Sequence, residues 1–320
     1  MNVPLPQLQR RVLTDGGLET DLLFNHGIDL PWFASVVLLG TREGRSALET
    51  YYRPYLELAQ RLSTGFILES ATWRASPAWA EPLGLGQAEL DQLNIAAVEL
   101  LHRLRTEFAT DTVEIVVSGC IGPRGDGYDA GRIMSVTEAA EYHGHQARVL
   151  ASAGVDMLSA LTMTNINEAT GIALAAAQVD LPVSVSFTVE TDGRLPTGDS
   201  LMDAVTAVDE ATGHTPAYFM INCAHPDHFG AVLSESAGWT QRIRGLRANA
   251  SRCSHQELDT MTALDAGNPT ELGLLYRALL ERQPQITVLG GCCGTDLRHI
   301  TAVAEACLRP PSSSSSAADL

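Results

Sequence analysis

The sequence predicts an α/β protein folded as one closed (β/α)8 barrel of the TIM type. Eight short apolar segments, each bounded by polar or glycine residues, are typical of buried strands. Each segment is followed by enough residues for a helix, and no internal linker divides the chain. Strands that alternate with helices form parallel sheets, and eight such units in 320 residues suit a closed barrel. A doubly wound open sheet is the alternative.

The elements follow one another regularly along the chain. The predicted strands cover residues 11–14, 66–68, 114–117, 156–160, 183–187, 217–221, 243–248 and 286–289, and the predicted helices cover 43–62, 87–107, 136–153, 167–178, 200–212, 270–282 and 297–308. The seventh strand is the least regular because three arginines lie in it or directly before it, namely Arg242, Arg244 and Arg247. Thr295 and Asp296 provide caps for the last helix. We expect the barrel to span residues 1–309 and the serine-rich residues 310–320 to be a disordered tail.

Composition and charge exclude several classes of function. The formal net charge is −17, which argues against binding nucleic acid or an anionic membrane through a basic face. The first residues lack the apolar core of a signal peptide, and no run is long enough to span a bilayer. Six cysteines are too sparse for a disulfide framework. We therefore predict a cytoplasmic protein with small-molecule partners.

The predicted strand ends carry the residues with the most distinctive chemistry. In a barrel of this kind the active site lies at the C-terminal ends of the strands. The residues at those positions are Asp15, Glu69, Cys120, Cys223, Asn249, Cys292 and Cys293. Three cysteines thus fall at the ends of strands six and eight, where separate elements converge. Three thiolates make a good zinc site, and a fourth position left open is typical of a catalytic one.

The stretch after the eighth strand decides whether adjacent cysteines can share a metal. Neighbouring residues of an extended strand point to opposite faces. We expect Gly290 and Gly291 to turn the backbone tightly, so that the sulfurs of Cys292 and Cys293 reach one soft cation. The alternative is two small buried hydrophobic side chains beside a turn.

Other polar groups of the sequence are interpreted as structural. Cys120 is expected in the core, and Cys253 and Cys307 are expected to be incidental. His225 and His228 follow Cys223 closely, but their loop predicts solvated side chains. The glycine-rich residues 122–131 fit neither a P-loop nor a dinucleotide-binding fingerprint, so a plain connecting loop is expected.

Three motifs resemble those of the homocysteine S-methyltransferase family. They are Asp-Gly-Gly-Leu-Glu-Thr at 15–20, Asn-Cys at 222–223 and Gly-Gly-Cys-Cys-Gly-Thr at 290–295, and the resemblance covers residues 10–308. It implies a (β/α)8 barrel in which Cys223, Cys292 and Cys293 hold zinc, and the zinc binds the acceptor thiol. It also implies that Asp15, as the catalytic residue, lines the acceptor pocket with Gly16 and Gly17. Asn222 and Glu69 complete the expected substrate-binding residues.

The resemblance implies an S-methyltransferase of methionine biosynthesis. A methyl group would pass from a cationic donor, such as a sulfonium or quaternary ammonium compound, to a thiol such as homocysteine. Zinc coordination removes the thiol proton and leaves a usable nucleophile. Trp73 and Trp79 could face the donor cation, or they could simply pack. A zinc-dependent lyase or hydrolase, and a non-catalytic thiol- or metal-binding protein, are the alternative functions.

Two departures from the family pattern concern the substrate pocket. In much of the family, strand four ends in a glutamate that binds the homocysteine amino group, whereas this chain has Leu161. A Tyr-Gln pair of many sulfonium-using relatives is replaced here by Trp73 and Arg74. Burying an unpaired ammonium is costly. L-Homocysteine is therefore expected to be a poor acceptor, unless Glu69 or Glu190 supplies the missing carboxylate.

Overall fold

Eight parallel strands close into one barrel in the computed structural model, which describes residues 5–234 and 237–308. Each strand pairs with the next along the chain, and the eighth pairs with the first. The strands are β1 (Val12–Leu13), β2 (Gly65–Glu69), β3 (Ile115–Ile121), β4 (Met157–Met163), β5 (Val183–Phe187), β6 (Tyr218–Asn222), β7 (Ile243–Ala248) and β8 (Val288–Gly291). The (β/α)8 prediction is confirmed and the open sheet is excluded. The predicted tail, residues 310–320, lies outside the described residues, so the boundary at 309 stays a prediction.

Helices surround the barrel and connect its strands. They are α1 (Leu18–Thr20), α2 (Arg42–Leu62), α3 (Gln87–Phe108), α4 (Val136–Ser152), α5 (Ile166–Gln178), α6 (Leu201–Thr212), α7 (Pro226–Phe229), α8 (His255–Thr260), α9 (Pro269–Arg282) and α10 (Leu297–Leu308). The seven predicted helices are all present, with ends within one residue of the prediction. The short helices α1, α7 and α8 were not predicted, because a single turn leaves no periodic signal. Asp296 accepts a hydrogen bond from the Arg298 amide, which confirms the predicted cap of α10.

Strands β3 and β4 extend beyond their predicted ends. The sequence predicts that they stop at residues 117 and 160, whereas they run to Ile121 and Met163. In β3 the first residue beyond the predicted end is Ser118, whose hydroxyl lies 2.7 Å from that of Ser159 on β4 inside the barrel. The apolar pattern of β3 therefore ends where the barrel interior becomes polar, whereas β4 simply continues through residues 161–163.

The eighth strand differs from its prediction in a way that affects the site. Gly290 and Gly291 pair with Arg247 and Ala248 of β7, so they belong to the strand and do not form the turn. The backbone turns three residues after Gly291, at Gly294, whose φ of +79° is in the left-handed region. The prediction of a tight turn at Gly290 and Gly291 is therefore wrong, although the chain does turn beside the cysteines.

The interior of the barrel is apolar at one end and polar at the other. Its apolar part is a separate buried cluster made of Leu5, Val12, Ile67, Val116, Met157, Tyr218, Met220 and Val288. Leu5 belongs to the N-terminal segment, which closes this end of the barrel. Inward side chains alternate along each strand, so the next inward positions are Glu69 on β2, Ser159 on β4 and Arg247 on β7. These buried polar residues lie on the side of the strand ends.

The helices pack on the outside of the barrel and share one hydrophobic core with its strands. The main hydrophobic cluster contains apolar residues from both the strands and the helices. Side-chain caps begin several helices; for example, Ser135 forms a capping box with Glu138 at the start of α4. Within the described residues, no helix is long and apolar enough to cross a membrane. A cytoplasmic location stays a prediction.

Candidate metal centre and acceptor pocket

A cavity of about 420 Å³ opens at the C-terminal ends of the strands. Its walls contain every residue that the sequence analysis assigns to the site, namely Asp15, Gly16, Gly17, Glu69, Asn222, Cys223, Cys292 and Cys293. Residues that were not predicted also line it, including Arg247, Tyr128 and Glu19. The cavity is therefore the place where the chemistry of these residues can be combined.

Three cysteine sulfurs meet at the strand-end side of the barrel. The Sγ atoms of Cys223, Cys292 and Cys293 all lie within 4.8 Å of one another. Those of Cys223 and Cys293 are 3.8 Å apart, which is about the spacing of two sulfurs on one tetrahedral zinc ion with Zn–S bonds of about 2.3 Å. Cys223 and Cys292 are joined as a disulfide in this structure. Holding a metal requires these two side chains as separate thiolates.

The backbone at Cys223 explains how two adjacent residues can both face the cavity. Asn222 ends β6 with its side chain inward, so a further extended residue would point outward. Cys223 instead has a φ of +54°, in the left-handed region that non-glycine residues seldom adopt. The local bend turns its sulfur toward Cys292 and Cys293. Backbone strain of this kind, held by the surrounding structure, is common at functional sites.

Each of the three sulfurs has one polar hydrogen directed at it. The Tyr128 hydroxyl donates to Cys293 Sγ at 3.5 Å, and the Thr162 hydroxyl approaches Cys223 Sγ at 4.0 Å. The amide of Asn222 lies 3.8 Å from Cys292 Sγ. Burial raises the pKa of the Cys293 thiol to about 11, so burial alone favours the protonated form. The donor set suits thiolates that are held by a soft cation such as zinc.

Asp15 lies in the cavity wall, and each of its two carboxylate oxygens has a partner. Its side chain is buried, and its carboxylate forms an ion pair with Arg247 at 2.8 Å. The Tyr51 hydroxyl donates to the other oxygen at 3.0 Å. Arg247 also contacts the Thr14 hydroxyl and donates to the Gly16 carbonyl at 3.2 Å. A buried arginine thus fixes the conformation of the Asp15 turn, and the sequence analysis did not identify it.

The two glycines after Asp15 allow the β1 turn to pack against the cysteine turn. A Cβ atom at Gly17 would lie 2.4 Å from the Cys292 carbonyl oxygen, and one at Gly16 would lie 2.8 Å from the Thr295 carbonyl oxygen. The Gly17 amide donates to the Thr295 carbonyl at 3.0 Å. Their small size is therefore needed for contact between backbone segments, in addition to their position beside the cavity.

Asn222 holds the neighbouring strand end in place. Its side-chain oxygen accepts hydrogen bonds from the Thr162 amide at 2.9 Å and the Ser186 hydroxyl at 2.6 Å. Its amide nitrogen donates to the Thr162 hydroxyl at 2.8 Å. Thr162 has a φ of +62°, so Asn222 supports a strained turn after Leu161. These contacts give Asn222 a supporting role at the strand end, and its predicted contact with the substrate stays a prediction.

The prediction of a solvated side chain is wrong for His225, and the predicted connecting loop at 122–131 is present but also contributes to the site. His225 is 3% exposed and accepts a hydrogen bond from the Asp227 amide at the start of α7, so it is not solvated. Burial lowers its pKa to about 4, which favours the neutral form that this cap needs. The glycine-rich loop 122–131 is more than a connection, because its Tyr128 reaches Cys293 and stacks on His255 with ring centroids 3.9 Å apart.

The two tryptophans after β2 contact a cation of the chain itself. The Arg74 guanidinium carbon lies 5.1 Å from the Trp73 ring centroid and 4.4 Å from that of Trp79. Trp73 lines the cavity, whereas Trp79 is not one of its wall residues within the described chain. Trp79 therefore packs against Arg74, as the packing alternative expects, and contact of Trp73 with a donor cation stays a prediction.

Changing Tyr128 to Phe tests whether the loop hydroxyl contributes to the site. We expect zinc to remain bound and kcat/KM to fall about 10-fold, because side chains that hydrogen-bond to metal ligands set the orientation and basicity of those ligands. Tyr142→Phe is the matched control, since its hydroxyl bonds Ser76 away from the cavity. Steady-state kinetics on zinc-loaded protein provide the measurement. An unchanged kcat/KM in Tyr128→Phe would show that the contact with Cys293 is incidental.

Comparison with known proteins gives one consistent result. The family model described as homocysteine S-methyltransferase matches residues 12–307. Homocysteine S-methyltransferase 3 of Arabidopsis thaliana is 23% identical, and the match covers 95% of this chain and 91% of that protein. Selenocysteine Se-methyltransferase of Brassica oleracea var. italica is 24% identical over 91% of this chain and 87% of its own length.

A solved structure agrees in fold. The oxidised form of the homocysteine methyltransferase MmuM from Escherichia coli superimposes with a TM-score of 0.74 at 22% sequence identity. The match covers 92% of this chain and 95% of that one. Because the family model spans nearly the whole described barrel, including all three cysteines, the chain belongs to the homocysteine S-methyltransferase family.

Proposed function

We propose that this methyltransferase moves a methyl group from a cationic donor to a zinc-bound thiol acceptor, with homocysteine as the first acceptor to test. The convergence of Cys223, Cys292 and Cys293 on one wall of the cavity carries the proposal. Three protein thiolates satisfy zinc only in part and leave one coordination position for a ligand. That position would face the cavity in which Asp15 and Glu69 lie.

The chemistry divides between the metal and the protein. When bound, zinc would lower the pKa of the acceptor thiol and so supply a thiolate at neutral pH. The protein residues hold this centre in place: Tyr128, Thr162 and Asn222 direct polar hydrogens at the three sulfurs. Because the three cysteines lie in the wall of one cavity, both substrates would bind within that cavity, where they can be positioned for direct transfer.

The charge of the cavity supports a cationic donor. Its walls carry six carboxylates and two arginines, namely Asp15, Glu19, Glu69, Asp126, Asp259, Asp265, Arg74 and Arg247. Such an excess of acidic groups attracts cations. A sulfonium or quaternary ammonium donor loses its positive charge when the methyl group leaves, so it is the class of donor that this cavity suits.

The relatives support an amino-acid acceptor. Two of them are named for methyl transfer to homocysteine and to selenocysteine, and the E. coli enzyme has also been solved in a metallated form. Selenium and sulfur nucleophiles both suit coordination by a soft metal ion. These likenesses do not identify the donor, which the experiment below addresses.

The proposal is tested with a panel of thiols and methyl donors. Reduced, zinc-loaded protein is incubated with homocysteine and with sulfonium or quaternary ammonium donors, and products are identified by mass spectrometry. Methylated thiol that forms with zinc, and is lost after chelation and regained with added zinc, is the expected result. Cleavage of a donor without methylation of the thiol would favour the lyase or hydrolase alternative. Thiol binding without product from any donor would favour a non-catalytic binding protein.

Asp15 is proposed to act on the acceptor and not on the metal. Its carboxylate pairs with Arg247 at 2.8 Å, and its replacement by Asn removes one negative charge from the wall beside the acceptor position. We expect Asp15→Asn to weaken acceptor binding about 10-fold while zinc affinity changes little, because a charged contact contributes about 1.5–3 kcal/mol. Calorimetry measures the Kd of the acceptor, and competition with a chelator measures the affinity for zinc. Loss of zinc in Asp15→Asn would assign Asp15 to the metal shell instead.

A further inference from the structure

Three buried charged groups at the cavity wall do not balance one another. Asp15 is 2% exposed, Glu69 5% and Arg247 6%. Asp15 and Arg247 form an ion pair at 2.8 Å, whereas Glu69 has no ion-pair partner within the described residues. When both acids are ionised, one negative charge is left over in a place that water scarcely reaches. Such a charge is costly unless a ligand or metal compensates it.

Glu69 has one oxygen atom that is available to a ligand. Its Oε1 accepts a hydrogen bond from the Ser159 hydroxyl at 2.9 Å. Its Oε2 is buried and has no hydrogen-bond partner in the described part of the chain. Buried polar atoms are nearly always paired in folded proteins, so an unpaired carboxylate oxygen in a cavity wall indicates a missing donor.

Burial and charge act on Glu69 in opposite directions. Removal from water is the largest effect and leaves the pKa of its carboxyl group above the ordinary value, although the positive charge of Arg247 and the nearby Ser118 and Ser159 hydroxyls lower it. A second cation in the cavity would favour the ionised form further. The site is thus incomplete in a specific sense, because it lacks a positively charged hydrogen-bond donor next to Oε2.

The position of Glu69 relates it to the leucine of strand four. Ser159 and Leu161 lie two residues apart on β4 and therefore face the same side of the strand. Ser159 bonds Glu69, and Leu161 lines the same cavity as Glu69. The Glu69 carboxylate thus extends from β2 to the inner face of β4. It contacts β4 at Ser159, the inward-facing residue that precedes Leu161.

Glu190, the other acid that could serve the acceptor, is engaged elsewhere. Its carboxylate lies 2.9 Å from Nδ1 of His255, and it is not among the cavity-wall residues of the described chain. Asp15 has both carboxylate oxygens occupied, by Arg247 and by Tyr51. Glu69 is therefore the acid in this wall with an unpaired, fully buried oxygen.

We propose that Glu69, on β2, is the residue that binds the ammonium group of the aminothiol acceptor. The inference rests on the proposed methyl transfer to such a thiol and names the side chain that distinguishes it from a thiol without an amine. It reverses the expectation that Leu161 makes homocysteine a poor acceptor, because the carboxylate comes from β2 instead of β4. Arg247 keeps Asp15 paired and leaves Glu69 free for the ligand.

The test compares L-homocysteine with its des-amino analogue, 4-sulfanylbutanoic acid. Both thiols are titrated by calorimetry into reduced, zinc-loaded wild type and Glu69→Gln, and both are then offered as methyl acceptors. We expect wild type to bind homocysteine at least about 10-fold more tightly than the analogue, as a charged hydrogen bond implies. In Glu69→Gln the two Kd values should agree within about threefold, because that bond is lost.

Relocation of the carboxylate gives a second, independent arm. The double variant Glu69→Gln with Leu161→Glu should regain the preference for homocysteine, since the acid then projects from the same wall. Glu107→Gln is the matched control: Glu107 forms an exposed ion pair with Arg53 and is not among the cavity-wall residues of the described chain, so its change should keep the preference. Thermal unfolding checks that each variant is folded. If the double variant does not fold, the single variant Glu69→Gln is sufficient to test the inference.

Equal binding of the two thiols by wild type, or an undiminished preference in Glu69→Gln, would overturn the inference. Both results concern binding and do not depend on a methyl donor. An amine preference without any methylated product would leave Glu69 in its assigned role and contradict the proposed function instead. Methylation of both thiols at equal efficiency would support the proposed function and contradict the role assigned to Glu69.

Discussion

Replacing Cys292 and Cys293 together with alanine should abolish zinc binding and methyl transfer while the barrel stays folded. Removing two of three thiolates leaves one cysteine, which is too few ligands to hold zinc in a protein site. We expect zinc content to fall from about one ion per chain to background, and activity to fall by at least about 100-fold, since the metal supplies several kcal/mol of activation. Metal analysis after gel filtration under reducing conditions provides the measurement.

The fold should survive because the two residues lie at the edge of the core. Cys292 and Cys293 follow the end of β8 and are partly exposed, whereas the strands and helices below them share a continuous apolar cluster. Cys253→Ala is the matched control, since it removes a partly exposed thiol that is not part of the sulfur cluster. It should keep both zinc and activity. Full zinc retention in the double alanine variant would refute the site.

Replacing Arg247 with Met should destabilise the protein strongly. The change removes the positive charge that forms an ion pair with Asp15 and also interacts electrostatically with Glu69. Two buried carboxylates are then left without a compensating charge. Breaking a buried pair by removing one partner costs about 3–5 kcal/mol, so we expect a loss of that size in the free energy of unfolding. Urea unfolding of reduced, metal-free protein measures it.

A double-mutant cycle separates the charge effect from lost packing. Asp15→Asn combined with Arg247→Met should be less destabilising than the sum of the single changes, because no unpaired partner remains at that pair. Arg252→Met is the control: its pairs with Asp227 and Glu271 are exposed, and its loss should change stability by less than about 1 kcal/mol. Equal stability of wild type and Arg247→Met would show that the buried pair does not stabilise the fold.

The barrel and the cysteine cluster could be predicted because both follow from chain order. Apolar strands that alternate with helices imply parallel neighbours, and parallel strands bring their C-terminal ends to one face. Cys223 and Cys292 are far apart in sequence but follow strands separated only by β7. Their proximity therefore follows from chain order, whereas the left-handed backbone of Cys223, which turns its sulfur into the cavity, does not.

Arg247 could not be assigned because its role depends on the side of the strand that it faces. Arginine is usually exposed, and the three arginines near β7 made that strand look irregular. A signal was nevertheless present: Gly245 and Arg247 share one face of the strand, and Gly245 is small enough to belong to the interior. Two acids at other strand ends, Asp15 and Glu69, could have indicated that a buried cation would be compensated.

Tyr128 and the turn after β8 could not be predicted for a different reason. Loop 122–131 has no periodicity, so the sequence does not show which of its side chains packs over the cysteines. The glycines at 290 and 291 suggested a turn, but their actual role is to continue β8 beside Arg247. In both cases contacts with distant parts of the chain decide the conformation.

The most direct test of the central claim is X-ray absorption at the zinc edge, on reduced zinc-loaded protein with and without homocysteine. The claim is that Cys223, Cys292 and Cys293 hold zinc and leave one position for the acceptor sulfur. Without the thiol, we expect three sulfur ligands at about 2.3 Å and one nitrogen or oxygen ligand. Addition of homocysteine should replace the lighter atom with a fourth sulfur. A spectrum that already shows four sulfurs, or one that does not change on saturation with thiol, would contradict the claim.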